Sequence, residues 1–229
     1  MAAALTAVVS FTGARAPVNH ANFDEITVGR INIIEPDGTK RLIISNKAQF
    51  PGYFDQGKEI ERPGRRDFAG VLFINEEGTE NGGFLQKGSI NNEGKISSGL
   101  SLTFDRFRQD QTLQLISNDS ENSQRAAISI NDRPQFKVAS IEDQKIFNIE
   151  ASKLPETERR AYWDKLSAQN RLAQNRIYLG TTGDRGSALV LRDANGKVRM
   201  KLQVSAEGKS EIQMLDENGK VEKTISPTN

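Results

Sequence analysis

The 229-residue sequence contains no cysteine. Disulfides, thiolate nucleophiles and zinc–sulfur centres are thereby excluded. There is one histidine, His20, so a Ser-His-Asp triad or a multi-histidine metal site is not expected. Charge of one sign is also missing, since 31 Lys plus Arg stand against 30 Asp plus Glu. Without an overall basic field, nucleic acid is not an expected partner. No catalytic constellation is visible and no cofactor or metal is expected. Any catalysis would fall to carboxylates, tyrosine, lysine or arginine.

What the sequence has is a repeated turn. Around Gly38, Gly78, Gly94, Gly196, Gly208 and Gly219 the residue three before the glycine is Glu35, Asn75, Asn91, Asp193, Ser205 or Asp216. The residue before each glycine is Asp, Glu or Asn, and the one after is Thr or Lys. Asp, Asn and Ser open a type I turn by accepting a backbone N–H two residues on. A glycine at positive φ then completes a three-residue hairpin loop with a bulge. The alternative, a calcium loop, fails on spacing. With Gly196 or Gly219 at position six, the end positions that need oxygen ligands hold Leu191 and Leu202, or Met214 and Ile225.

Apolar alternation around these turns predicts an all-β chain, an antiparallel meander closed as a barrel or sandwich. Residues 1–22 read as an apolar leader and linker. Residues 1–16 are rich in small apolar residues, and Ala14-Arg15-Ala16 resembles a cleavage site. Residues 23–150 read as the β meander, with a bulge expected at Gly29 between the Ile26/Val28 and Ile31/Ile33 parities. The Pro- and Gly-rich stretch 47–67 reads as a long, functional loop. Residues 151–176 hold the one expected helix, near 155–174, with Pro155 at its first position and Trp163, Leu166 and Ala173 near one face. Residues 177–229 read as a C-terminal β-hairpin extension with too little apolar bulk for a core of its own.

The runs FDEITVGRINIIEPDGTKRLIISN, INEEGTENGG, LTFDRFRQDQ and ALVLRDANGKVRMKL resemble a family of uncharacterised bacterial proteins, often with an apolar N-terminus. The C-terminal repeats are similar, more weakly, to the short β repeats of trimeric fibre proteins. The first resemblance carries no known activity. Neither carries catalytic residues.

Three stretches are candidate ligand sites. Arg62, Arg65 and Arg66, with Asp67, put three guanidinium groups in one loop, suited to carboxylate or phosphate. Glu76, Glu77 and Glu80, beside Asn81, could form an oxygen-rich cation site or a carboxylate pair for acid–base chemistry. Asp105, Arg106 and Arg108 end a clean strand among aromatics. If the alternation continues, Arg106 shares the face of Leu102 and Phe104 and needs a carboxylate or an anionic ligand. The ordinary alternative in each case is a solvated loop or hairpin end.

The expected function is that of an exported or envelope-associated binding or assembly protein, a homo-oligomer (dimer or trimer). A small-molecule ligand is possible, with membrane attachment only through the N-terminal segment. The alternative is a cofactor-free enzyme of isomerase or cyclase type, with a carboxylate/Arg site in a barrel mouth.

Overall fold

The structure is a computed structural model and describes residues 20–227. The apolar stretch 1–16 lies outside the described residues. The chain is mostly strand, with β1 (Arg30–Ile34), β2 (Lys40–Ser45), β3 (Tyr53–Asp55), β4 (Lys58–Ile60), β5 (Ala69–Ile74), β6 (Glu80–Ile90), β7 (Ile96–Asp105), β8 (Gln111–Ser120) and β9 (Ser123–Asp132). Two helices follow, α1 (Ile141–Lys153) and α2 (Glu156–Ala168). The sheet then resumes with β10 (Gln174–Thr181), β11 (Ser187–Arg192), β12 (Val198–Val204), β13 (Ser210–Leu215) and β14 (Val221–Ile225).

Twelve strands form one antiparallel sheet in the order β1-β2-β5-β6-β7-β8-β9-β10-β11-β12-β13-β14, and β3 and β4 form a separate hairpin. The order is linear, so no hydrogen-bonded pairing joins β1 to β14 and no closed barrel is formed among the described residues.

The turns explain the meander. All six glycines of the repeated turn have φ between +76° and +89°. In each, the glycine N–H donates to the carbonyl three residues back, as in Gly196 to Asp193 at 2.9 Å. The first residue's N–H donates to the carbonyl of the residue after the glycine, as in Asp193 to Lys197 at 2.9 Å. The Asp193 carboxylate accepts the N–H groups of Asn195 and Lys197. Asn75, Asn91, Ser205 and Asp216 repeat that pattern. At Glu35 the side-chain acceptor is instead Asp37, which takes the Thr39 N–H.

Three expectations are corrected here. The helical region holds two helices rather than one. Pro155 is the N-cap of α2 rather than its first helical residue, and α2 ends at Ala168, so Ala173 lies beyond it. Among the described residues no strand precedes Arg30, and the register slip of β1 falls between Ile33 and Ile34, not at Gly29. The stretch 47–67 is not irregular throughout: it contains the β3–β4 hairpin and two short 3₁₀ turns, Lys47–Gln49 and Pro63–Arg65.

Register sorts the side chains onto two faces. One row of directly opposed residues runs unbroken across all twelve strands: Ile31, Ile44, Val71, Phe84, Leu102, Leu115, Ile128, Leu179, Leu189, Leu202, Ile212 and Ile225. Two residues along each strand runs a second row, Ile33, Leu42, Phe73, Gly82, Phe104, Leu113, Ile130, Ile177, Leu191, Met200 and Met214, ending at Lys223. The intervening row, on the other face, runs Ile43, Leu72, Gly83, Thr103, Gln114, Ser129, Tyr178, Val190, Lys201 and Gln213. It is apolar at β2 and β5 and largely polar beyond.

The buried core lies where that second face is covered. Phe54 of β3 packs on Ile43, Leu72 and Ile74. The helices make a second small core from Ala139, Phe147 and Leu166, with Tyr162, Trp163 and Leu172 against it. The two apolar rows have no such cover. Leu115 is 41% exposed, Leu179 48% and Leu202 48%.

Candidate functional site

Near Asp105 the covered face encloses a cavity of about 420 Å³. Its walls come from the β3–β4 hairpin, the Pro63–Arg65 turn, the start of β6, the β7–β8 turn and the first turn of α1. Arg65 anchors its base. Its guanidinium donates to the Gly52 carbonyl at 2.8 Å and to both oxygens of Glu80, at 2.7 Å for Oε2. Both side chains are nearly buried, 9% and 12% exposed.

The β7–β8 turn supplies the opposite wall. A register slip between Phe104 and Asp105 ends the regular alternation of β7. Arg108 takes positive φ, +52°, a region disfavoured for a residue with a Cβ. Interactions on both sides hold it there. Its guanidinium donates to both Glu77 oxygens, at 2.8 and 2.6 Å, and lies 5.2 Å from the centroid of the Phe136 ring. The neighbouring Arg108 guanidinium holds the Glu77 carboxyl below its ordinary range.

Gln109 is buried, and its side-chain amide donates to the Ala139 carbonyl. That bond ties the turn to α1. Ser140 caps α1 reciprocally with Asp143: Ser140 Oγ accepts the Asp143 N–H at 3.0 Å, and Asp143 Oδ2 accepts the Ser140 N–H at 2.7 Å. The cap and start of α1 therefore set Ser140, Glu142 and Lys145 at the cavity. Lys145 lies 5.9 Å from the Tyr53 ring centroid. Burial, with the charges of Glu142 and Asp55, pushes the Tyr53 hydroxyl above its ordinary value.

Asp105 is the chemically distinctive group. Its Oδ1 is fully buried and has no hydrogen-bond partner among the described residues. Burial, reinforced by the Glu80 and Asp110 charges and opposed by Arg65 and Arg133, pushes its carboxyl up to about 7. A carboxyl in that range is available as acid and as base near neutral pH.

Of the residues singled out in the sequence, Arg62, Glu80, Asp105 and Arg108 line the cavity. Arg65 supports Glu80. The others lie elsewhere: Arg66 pairs with Glu61, Asp67 with Lys47 at 3.0 Å, and Glu76 with Arg41 at 2.9 Å. Asn81 is exposed. Arg106 donates to the Arg133 carbonyl, because the slip at Asp105 breaks the alternation that would have aimed it with Phe104. Glu76, Glu77 and Glu80 each bind a different arginine. No group of three potential metal-ligating carboxylates or histidines converges among the described residues. Tyr53, Phe54, Gln109, Asp110, Phe136 and Lys145 also line the cavity and were not singled out. The Ser-x-x-Asp spacing at 140–143 was the available signal for the α1 wall.

The open face carries the second candidate, an apolar groove of about 510 Å³ lined by Phe84, Leu100, Leu102, Leu115, Ile128 and Leu179, among others. No protein-family model matches the chain, and no curated protein matches it. No helix among the described residues is long and apolar enough to cross a membrane.

Proposed function

We propose that this is an exported or envelope-associated β-rich assembly protein that works as a homo-oligomer, with the apolar rows of its large sheet covered by another copy. The observation that carries this reading is the unbroken apolar face. Contiguous exposed apolar patches beyond a few hundred Å² are rare on monomers. Twelve strands at ~4.8 Å, with two rows ~6.8 Å apart, give a band of roughly 700 Å². A standard stable interface takes about 800 Å² from each partner. The fit favours a second copy, because an identical band repeats at the same strand spacing and can interdigitate along its whole length.

Total exposed area points the same way. The chain exposes 16498 Å² at 25.3 kDa, where a compact monomer exposes roughly 10,000 Å². Residues 1–19 and 228–229, even counted as fully exposed chain, account for only roughly 3,000 Å² of that excess. Strands β10–β14 contain one buried apolar residue, Ala188, in keeping with a hairpin extension that takes its cover from a neighbour. A dimer completes a two-layer sandwich between copies, and a trimer surrounds a shared apolar interior. The resemblance of the C-terminal hairpins to trimeric fibre repeats belongs to the same reading, and the small-residue leader at 1–16 supports export.

Light scattering on the full chain tests it. The expected mass is at least twice 25.3 kDa, and the number of copies is unchanged when residues 1–19 are removed. Leu115→Glu with Leu202→Glu should release monomer. A monomeric wild type, or an oligomer that survives both charges, overturns the reading.

The Asp105 cavity favours a second reading, a cofactor-free acid–base enzyme of isomerase or cyclase type. A carboxyl poised near 7 in a cavity with aromatic and charged walls is what such chemistry requires.

A further inference from the structure

We propose that the Asp105 cavity is a binding site for an organic cation, a protonated amine carried on an apolar body. Its volume, about 420 Å³, suits a small ligand. Its wall holds six carboxylates (Asp55, Glu61, Glu80, Asp105, Asp110, Glu142) and three cations (Arg62, Arg108, Lys145). Glu61 and Asp110 are paired with Arg66 and Arg133. Arg108 is already committed to Glu77. Glu80 is committed to Arg65, whereas Asp105 has no ion-pair or hydrogen-bond partner for its Oδ1 among the described residues. Asp55, Asp105 and Glu142 therefore stand against Arg62 and Lys145.

The unpartnered Oδ1 asks for a donor. A hydroxyl could supply a hydrogen bond, but it would not answer the local charge. Glu80 on β6 and Asp110 in the β7–β8 turn both act on Asp105 to disfavour a second negative charge, outweighing Arg65 and Arg133. An ammonium meets both needs: it donates to the Asp105 carboxylate, which lines the cavity, and neutralises the field. An anion meets neither. The aromatic walls, Tyr53, Phe54 and Phe136, suit the apolar body and can stack against the cation. Binding must also expel the Asp105 proton, because the ammonium favours the charged carboxylate.

The site is independent of assembly through the open face, and its test does not depend on oligomeric state. Calorimetric titration of the full chain with 2-phenylethylammonium, 2-phenylethanol and 3-phenylpropionate compares one shape in three charge states. The amine should bind saturably, with the alcohol and the carboxylate at least roughly tenfold weaker. Near pH 6 its heat should vary with the ionisation enthalpy of the buffer, showing proton release. Asp105→Asn should weaken the amine by roughly tenfold or more. Lys145→Gln, an exposed change, should tighten it and keeps a sign to read should the Asn variant fold poorly. Equal or tighter binding of the alcohol or carboxylate, amine binding indifferent to both variants, or no binding of any probe at millimolar concentration overturns the proposal.

Discussion

Arg65 and Glu80 form a two-pronged ion pair at the base of the cavity, with both side chains nearly shielded from water. Arg65 also takes the Gly52 carbonyl at 2.8 Å, so this pair fastens the 47–67 segment to the start of β6. Burying a charge pair yields little net stability, but removing one partner strands the other. Arg65→Met should therefore cost about 3–5 kcal/mol and lower the melting temperature by roughly 10 °C. Arg65→Met with Glu80→Leu should recover much of that loss. A single variant that melts like wild type would show that the pair does not hold the segment. Thermal unfolding by circular dichroism decides it.

The Asp105 carboxyl gives a pH dependence with a defined sign. Its folded value, about 7, lies above the ordinary value of 3.8. Folding therefore takes up a proton between those limits. The stability Asp105 contributes is complete below the unfolded value and is lost as pH rises through about 7. Asp105→Asn mimics the protonated acid and removes this titration. Its unfolding free energy should gain on wild type steadily from pH 5 to about pH 7 and level off above it, the gain reaching a few kcal/mol at most, with the melting temperature following. A constant difference across that range would contradict the placement of Asp105.

Glycines at positive φ, two in turns and one in β6, should rank by what a Cβ would meet. At Gly219, with φ +83°, nothing lies within 4 Å. Gly219→Ala should cost only the left-handed backbone penalty, on the order of 1 kcal/mol. At Gly196, with φ +76°, the Cβ would lie 2.2 Å from the Gln174 side-chain oxygen, which can swing away. Its cost should be slightly larger. Gly82, with φ +129°, would put its Cβ 2.3 Å from the Thr103 carbonyl oxygen in the neighbouring strand. Gly82→Ala should cost several times more than Gly219→Ala, or prevent folding. Denaturant titration of the three variants checks the order.

The six hairpin turns were legible in the sequence because each is closed by residues within five positions of one another. Strand alternation gave the all-β class for the same reason. Helix α1 was harder to see. Its buried Phe147 and Ala151 share the helix with exposed Ile146 and Ile149, so no clean apolar stripe marks it, and only the Ser140/Asp143 cap does. The cavity was legible in pieces. Asp105, Glu80 and Arg62 stood out as charges in unusual company, but strand pairing and the Arg65 bridge bring them together, and neither is local. Arg106 shows the limit of alternation: one slip at Asp105 re-aims its side chain. The continuity of the apolar rows was equally hidden, since it depends on the register of every neighbouring pair at once.

Leu115 and Ile128 face each other on β8 and β9, the middle pair of the twelve-strand order. The most direct test uses the cysteine-free background. A single cysteine replaces Leu115 on the apolar face or, in a second variant, Gln114 on the opposite face of the same strand. Each is treated with a short bis-maleimide at micromolar protein. If another copy covers the apolar rows, Leu115→Cys forms a covalent dimer and Gln114→Cys remains a single chain. Equal cross-linking at the two positions, or none at Leu115, would contradict assembly through this face.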